Sequence, residues 1–301
     1  MALDDGNTTI TTSASILGGV GKTLGDAVIA FNKVNVIAPL IASKTGITGS
    51  ITVEWADWKV ATYADVVQRN EFVEATVQQI DTTARTATLT EHVLQVDIAD
   101  LAEQGYGAGG SLASSAGAVI GNAIAARLDN DLAALFAEGS FTNSVATAGQ
   151  VMDVGDIFSA LRLLHANQAP APLNLVLGTQ QVWGPKGLRL MIQGNATTPV
   201  AGSNVLGDAV GRDHTITGWV AKFAGFDVYT TPEIVEDSSN DEAGMAFSRN
   251  CFGMASPAKG LISIETQRDA SKRMTEYVGT GTWGEAIIKE LYGVSVTSDV
   301  S

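Results

Sequence analysis

Apolar and polar positions alternate from residue 51 onwards, with the period of two that is typical of a half-buried β-strand. Ile51, Val53 and Trp55 are separated by polar or charged residues. Further β-prone runs follow at residues 61–67, 72–80 and 86–98. Residues 81–90 are mostly Thr and Ala, which form strands with little side chain to bury. The pattern therefore predicts a protruding hairpin at residues 49–98 rather than a set of core strands.

Two stretches have the three-to-four-residue spacing of amphipathic helices. The first ends near Pro39, and the second runs over residues 111–138. The apolar stripe of the second helix consists of Val119, Ile120, Ala123, Ile124, Leu128, Leu132, Leu135 and Phe136. At about 1.5 Å per residue, this helix would be roughly 40 Å long. Asp129 and Asp131 fall off the stripe, so we expect them on the solvated face.

The second half of the chain mixes shorter helices with strands. Asp153 is a suitable N-cap for a helix over residues 154–166, and a further helix is predicted over residues 179–192. The predicted strands lie near residues 173–177, 226–230, 244–252, 261–265, 274–277 and 285–296. Helices and strands in this mixed order indicate an α+β fold.

The composition is that of an acidic chain with few charges. Its 301 residues include 18 basic and 32 acidic side chains, a net charge of −14 that argues against a face built to bind phosphate backbones. Charged residues make up 17% of the chain, against about 25% in ordinary soluble proteins, which suits a surface that becomes subunit interface. Cys251 is the single cysteine, so we expect no intramolecular disulfide and a buried, inert thiol. The sequence contains neither a recognisable signal peptide nor an apolar run of membrane-span length, which predicts a soluble protein made in a cytoplasm.

One glycine-rich segment is similar to part of a phosphate-binding loop. Residues 18–23 end in Gly-Lys-Thr, as in the Walker pattern, whose backbone amides and lysine cradle phosphates. The full pattern needs a glycine where this chain has Ile16, and the deviant form needs a lysine where it has Leu17. We therefore predict no nucleotide binding here, and a Walker-type ATPase that uses Lys22 stays open as an alternative.

The other candidate sites lack the neighbours that their chemistry requires. Residues 105–110 match a GxGxxG dinucleotide pattern, but the stretch before them is polar and helix-like where the pattern needs a strand. The three histidines share no ligand spacing with the cysteine or with paired acids. The sequence therefore predicts no catalytic residue, no cofactor and no metal site.

The order of the predicted elements is itself informative. A loose arm, a helix, a long protrusion, a glycine hinge and a long helix precede a mixed region and closing strands. Two local segments also look like parts of the axial domain of one known family. Residues 173–190 are similar to its strand and helix, and residues 224–229 are similar to a strand that recurs in it. Together these features resemble the major capsid proteins of tailed bacteriophages, which have the Hong Kong 97-type fold. The resemblance extends over nearly the whole chain and contains no single diagnostic motif.

The resemblance implies an α+β, Hong Kong 97-like capsid fold with an N-arm, an extended β-hairpin E-loop, a long spine helix, and peripheral and axial domains. The expected division is residues 1–48 for the arm and first helix, 49–98 for the E-loop, 99–150 for the peripheral domain with its spine helix, 151–262 for the axial domain, and 263–301 for the closing strands of the peripheral domain. Some family members join subunits through a Lys–Asn bond, but nothing around Lys59 marks a reactive site.

The function implied by the resemblance is structural rather than enzymatic. The chain is expected to assemble with itself into pentamers and hexamers of an icosahedral head that encloses double-stranded DNA without sequence-specific binding. Scaffolding, portal and cement or decoration proteins are the further implied partners. Assembly in the host cytoplasm and a final place in the virion follow from the same resemblance. An encapsulin-like nanocompartment shell is a second alternative with the same fold.

The hairpin supplies the expected contacts between subunits. Two strands alone are marginally stable in water, so an apolar face on them needs a cover. The side chains expected to contact a neighbouring subunit are Ile51, Val53, Trp55, Trp58 and Tyr63. Uncovered strand edges on one chain invite pairing with another, which supports the same expectation.

Overall fold

The computed structural model describes residues 35–58, 81–106, 112–136, 141–146, 148–188, 219–258 and 260–300. The strands in these ranges are β1 (Ala42–Ile47), β2 (Thr52–Trp58), β3 (Thr82–Thr88), β4 (Thr90–Ala99), β5 (Ser144–Val145), β6 (Leu173–Gly178), β7 (Trp219–Phe223), β8 (Phe226–Thr231), β9 (Asp241–Ser248), β10 (Phe252–Pro257), β11 (Ile262–Asp269), β12 (Met274–Ile287) and β13 (Gly293–Asp299). The helices are α1 (Asp100–Tyr106), α2 (Leu112–Ala134), α3 (Val154–Ala166) and α4 (Thr179–Trp183), with 3-10 turns at Ala38–Leu40 and Glu290–Tyr292.

One half of the body is a six-stranded sheet with the order β5-β13-β9-β6-β8-β7. Helix α3 packs on this sheet through Ile157, Ala160 and Leu164, all of which are fully buried. A capping box starts the helix, because the Asp153 carboxylate accepts from the Asp156 amide while Asp156 accepts from the Asp153 amide. The core of this half therefore lies between α3 and the sheet.

The other half of the body is a five-stranded sheet crossed by the long helix α2. Strand β12 is its centre: β4 pairs with one side, and β10 and β11 follow one another along the other. Helix α2 lies so close to β12 that a Cβ atom on Gly279 would overlap the side chain of Ile120. The residues of α2 that face this core are Ile120, Ile124, Leu128 and Leu132, each at most 4% exposed. A glycine in β12 is therefore what allows the helix to approach the sheet.

A separate two-stranded ribbon leaves this sheet at its base. Strands β2 and β3 pair antiparallel, from Thr52 opposite Thr88 to Trp58 opposite Thr82. Strand β4, which completes the predicted hairpin range, pairs instead with β12 along its whole length. In the described part of the range, the protruding element is thus the ribbon, and β4 belongs to the sheet.

The sequence predicted several element boundaries wrongly, although it placed α2, α3 and β2 well; the β-prone runs at residues 61–67 and 72–80 lie outside the described residues. Residues 35–37, the predicted end of the first helix, are not helical, and the rest of that helix lies outside the described residues. Helix α4 ends at Trp183 rather than 192, because Gly184 precedes Pro185 and takes an extended ψ of 174°. The run predicted as one strand over 244–252 is broken by a turn. In this turn the Cys251 amide donates a hydrogen bond to the Ser248 carbonyl oxygen. The run over 285–296 is likewise interrupted by the second 3-10 turn.

The expectation that Asp129 and Asp131 are solvated is also wrong. Asp129 is 1% exposed, and its carboxylate accepts from the Val36 amide at 2.6 Å and the Ile37 amide at 3.1 Å. Asp131 accepts from the indole nitrogen of Trp283 at 3.2 Å. Both acids therefore fix other segments to α2. Among the helices that the structure describes, none has the length and apolar character to cross a bilayer.

Candidate functional site: the ribbon and its base

The two faces of the ribbon have different surroundings. Because paired residues in an antiparallel ladder point to the same side, one face carries Val53 with Ala87 and Trp55 with Arg85. Val53 and Ala87 are buried against the five-stranded sheet, where they form a small cluster with Ala255. The other face is exposed, as are six of the seven residues of β3. The ribbon thus has an inward face at its base and an outward face that the described chain leaves open.

The Trp55 side chain packs directly against the backbone of a glycine, Gly253. A Cβ on Gly253 would lie 2.8 Å from the Trp55 ring and 2.7 Å from the Ile288 side chain, closer than real Cβ contacts. The ammonium group of Lys44 lies 5.0 Å from the centre of the indole ring, within cation–π range. Trp55 is consequently only 8% exposed. The side chain is held between a backbone surface, an aliphatic side chain and a cation.

A second glycine sets how closely the ribbon approaches the sheet. A Cβ on Gly284 of β12 would lie 2.5 Å from the backbone carbonyl oxygen of Thr88. The hydroxyl of Thr90 also lies 3.3 Å from the Trp283 carbonyl, which accepts its hydrogen bond. The base of the ribbon therefore rests directly on the backbone of β12.

Beyond its base the ribbon spans a cleft of about 550 Å³. The ribbon side of the cleft contributes Asp57 and Arg85, and the body side contributes Asn167, Lys289 and Glu290. The Thr142 hydroxyl and amide donate hydrogen bonds to Glu290, which hold the pKa of that carboxyl below its usual range. The cleft is therefore lined by charges of both signs.

The expected contact residues divide into two groups. Ile51 is 71% exposed and Trp58 is 58% exposed, so both are available to a neighbouring molecule. Val53 and Trp55 are buried, and the cover that we expected from another subunit comes from β10 and β12 of the same chain. Tyr63 lies outside the described residues. A contact role between subunits remains a prediction, and on this geometry it concerns Ile51 and Trp58.

Sequence reasoning missed the residues that hold the ribbon in place. Lys44 and Lys289 are single lysines next to β-prone runs, and no local pattern distinguishes them from solvated surface lysines. Gly253 and Gly284 each fall one residue outside a strand predicted from apolar residues, at 244–252 and 285–296. Glycine inside a strand does indicate a close approach of another backbone or side chain, and this signal could have been used.

Among the residues that the structure describes, the fold does not bring together the side chains that a metal site would need. In the described part of the chain, no three His, Cys, Asp or Glu side chains are grouped closely enough to hold a metal ion. The glycine-rich residues 18–23 lie outside the described residues. Burial raises the pKa of the Cys251 thiol well above its usual value, which agrees with the expected inert cysteine. His92 stacks on Trp283 with ring centres 4.2 Å apart and belongs to the packing between β4 and β12.

Comparison with families and curated proteins gives no relative: no family model matches the chain, and no curated protein matches it. Comparison with solved structures gives many. The "Capsid structure of the Cyanophage P-SCSP1u" is similar over 99% of this chain and 94% of its own, with a TM-score of 0.64 and 15% identity. A structure from Mycobacterium phage Ogopogo is similar over 96% of this chain and 100% of its own, with a TM-score of 0.62 and 12% identity.

A third similar structure is the "Asymmetric unit of bacteriophage PhiM1 mature capsid". It covers 86% of this chain and 85% of its own, with a TM-score of 0.54 and 9% identity. At such identities the likeness shows the fold. The chain therefore has an α+β fold that it shares with phage capsid structures, and the predicted family resemblance is confirmed at that level.

Proposed function

We propose that this chain is the major capsid protein of a tailed bacteriophage, a structural protein that assembles with itself into an icosahedral head around double-stranded DNA. One observation carries the proposal: the fold is similar to that of phage capsid structures over nearly the whole chain. The likeness covers 94% and 100% of the chains of those two structures as well. We accordingly propose no enzymatic activity.

The ribbon supports this proposal through what it exposes. Ile51 and Trp58 project from an element that buries only three of its own side chains, at its base. A two-stranded ribbon is marginal by itself, and exposed strand edges are a liability in a monomer. A neighbouring subunit that packs on the ribbon would remove this liability and could bury exposed apolar side chains such as Ile51 and Trp58.

The parts of the Hong Kong 97-type fold can be assigned on this basis. We assign the ribbon β2–β3 to the E-loop and α2 to the spine helix. The five-stranded sheet corresponds to the peripheral domain, and the six-stranded sheet with α3 corresponds to the axial domain. The domain limits at residues 48, 98, 150 and 262 are part of the same proposal, with β4 at the junction between E-loop and peripheral domain.

The partners follow from the assignment. The chain itself supplies pentamers and hexamers, while scaffolding, portal and decoration proteins act during or after assembly in the host cytoplasm. The finished location is the virion. The net charge of −14 suits a wall that contains DNA without gripping its phosphates.

Electron microscopy of the purified protein, with and without co-expressed scaffolding protein, tests the proposal directly. We expect closed icosahedral particles. A sharp monomer in light scattering at high concentration under both conditions contradicts the proposal. Particles filled with a cargo protein instead of DNA in infected or expressing cells would favour the encapsulin-like alternative. ATP turnover that is lost with Lys22→Ala would favour the ATPase.

A further inference from the structure

Besides the contacts of Lys44 with Trp55 and Glu54, the ribbon touches the body at three successive points, and the outermost of them is a single lysine side chain. The first two contacts are Thr88 on Gly284 and Trp55 on Gly253, which are tight and apolar or backbone in character. At the third, the Lys289 ammonium group donates to the Trp58 carbonyl oxygen at 2.7 Å. The same group lies 3.2 Å from the Asp57 carboxylate. It thus contacts two consecutive residues of β2.

Lys289 is itself fixed in the body. Its backbone amide donates to the Cys251 carbonyl at 3.1 Å, and the Ile288 amide donates to the same oxygen at 2.8 Å. Its ammonium group lies 5.1 Å from the centre of the Tyr292 ring. The side chain is only 14% exposed, unusual for a lysine, and that of Asp57 is 21% exposed. A partly buried, charge-assisted contact of this kind is stronger than a surface ion pair.

We propose that Lys289 is a positioning residue that sets the direction in which the ribbon leaves the body. The inference rests on the proposed function, because a fixed ribbon direction matters when neighbouring subunits must meet in a closed shell. The lever argument is geometric. Trp55 and Gly284 fix only the base, whereas the cleft beneath Asp57 and Arg85 leaves room for the outer part of the ribbon to tilt. Lys289 spans that cleft.

The charged side chains around the cleft support this role for Lys289. The cleft is lined by the carboxylates of Asp57, Asp81 and Glu290 and by two cations, Arg85 and Lys289. Glu290 accepts hydrogen bonds from Thr142, and the positive charge of Arg85 also helps to lower the pKa of the Glu290 carboxyl. Lys289 is the cation of the cleft that bonds from the body directly to the outer part of β2. Loss of its charge would leave Asp57 without the cation that pairs with it, while Arg85 stays close enough to Glu290 to lower its pKa.

Amide hydrogen exchange on the unassembled subunit tests the proposal. We expect Lys289→Met to speed exchange by about tenfold or more at residues 56–58 and 82–84, with residues 52–54 unchanged. Lys289→Arg retains a donor that can reach both partners, so it should restore most of the protection. Lys222→Met is the matched control, because Lys222 pairs with Asp227 at 3.3 Å but is 77% exposed on the β7–β8 hairpin.

Each outcome has a defined meaning. Unchanged exchange in a folded Lys289→Met overturns the proposal, and so does an equal effect of Lys222→Met at the ribbon. If Lys289→Met does not fold, Asp57→Asn takes its place, and the absence of a local effect there also overturns it. We further expect Lys289→Met particles to show a broader range of diameters in electron micrographs, with Lys289→Arg close to wild type. If wild-type protein forms no particles, the proposed function fails, while the exchange result still decides the role of Lys289.

Discussion

In strand β6 of the six-stranded sheet every residue is buried, whereas in strand β3 of the ribbon only Ala87 is buried. Seventeen buried apolar residues make up the core beside that sheet, and four make up the cluster beneath the ribbon. Burial of apolar area is the main source of stability, so the sheet has ample stability of its own and the ribbon has little. Whatever fixes the ribbon must therefore act through few contacts.

Polar groups are used differently in the two regions. Beneath the six-stranded sheet, the side-chain nitrogen of Gln181 lies 2.8 Å from the Glu242 carbonyl, 3.1 Å from that of Val296 and 2.9 Å from the Ser298 hydroxyl. Gln181 is 1% exposed, so this network is part of the core. At the ribbon, by contrast, Lys44 and Lys289 make polar contacts at the edge of the interface. These contacts join the ribbon to the body.

The comparison indicates that stability and direction are specified separately in this chain. A buried network such as that of Gln181 is costly to disturb and holds one arrangement. Rim contacts on a weakly buried ribbon define an orientation that can yield when a partner binds. An element that completes its surroundings on a neighbouring subunit needs the second kind of contact.

Trp55→Ala should have the largest effect on the stability of the ribbon relative to the body, because it removes the largest side chain in the ribbon cluster. Truncation of a buried aromatic residue typically lowers stability by about 3–5 kcal/mol. We expect this loss to be local: hydrogen exchange should accelerate throughout β2 and β3, while the urea midpoint of the body changes little. Gly253→Ala adds a methyl group to the residue on which the Trp55 ring packs, so it should produce the same pattern. An equal shift of the body's unfolding midpoint would mean that ribbon and body unfold together.

The pH dependence of stability should belong to the body. Burial raises the pKa of Asp129 from 3.8 to about 6, although bonds from Val36 and Ile37 oppose the shift and Glu233 adds to it. Since the folded-state pKa lies above the unfolded one, the folded protein binds more protons between these values. Its free energy of unfolding should then fall by about 2 kcal/mol as the pH rises from 4 to 6.

Asp129→Asn is the test of that assignment. Asparagine does not titrate and keeps one oxygen that can accept from the Val36 or Ile37 amide. Urea unfolding at several pH values should show a flatter dependence between pH 4 and 6 than wild type. An unchanged slope would assign the pH dependence to other buried acids, such as Glu242 and Glu285, whose pKa values burial also raises.

Local signals in the sequence were sufficient for elements whose stability is local. Helices α2 and α3 have regular apolar spacing, and Asp153 supplies a cap within three residues of its partner. Strand β2 has clear alternation. Two further boundaries were within reach, because Gly184-Pro185 ends α4 and the polar pair Arg249-Asn250 interrupts an apolar run.

The contacts of the ribbon could not be predicted in the same way, because they depend on residues far apart in the chain. Nothing near Trp55 indicates that Gly253 will lie under its ring. Nothing near Asp129 indicates that two amides from the N-terminal side will need its carboxylate. Alternation correctly predicted an apolar face on β2, but only the fold distinguishes a cover from the same chain from a cover by a neighbour.

Gly279→Ala should weaken the body without involving the ribbon. A Cβ at this position would overlap Ile120, and the rigid backbone of β12 cannot move away easily. Overpacking of this kind typically lowers stability by about 1–3 kcal/mol. Gly121→Ala is the control, because the helix position has open space and alanine should stabilise it by about 0.5–1 kcal/mol. Opposite signs in urea unfolding would support the close packing of α2 on β12, whereas equal effects would contradict it.

The smallest effect on stability is expected where the largest effect on assembly should occur. Ile51 and Trp58 are 71% and 58% exposed, so serine at both positions removes much less buried area than Trp55→Ala and should change the free energy of unfolding by about 1 kcal/mol or less. Both are exposed apolar side chains of the ribbon, and a neighbour that contacts either of them would lose that contact. Val235→Ser is a matched control, because Val235 is 70% exposed and lies in the loop between β8 and β9. We expect the double variant to sediment as unassembled subunits under conditions in which wild type and Val235→Ser form particles. Particles from the double variant in wild-type yield would show that the exposed ribbon residues are not subunit contacts, and the ribbon would then differ from the six-stranded sheet in stability alone.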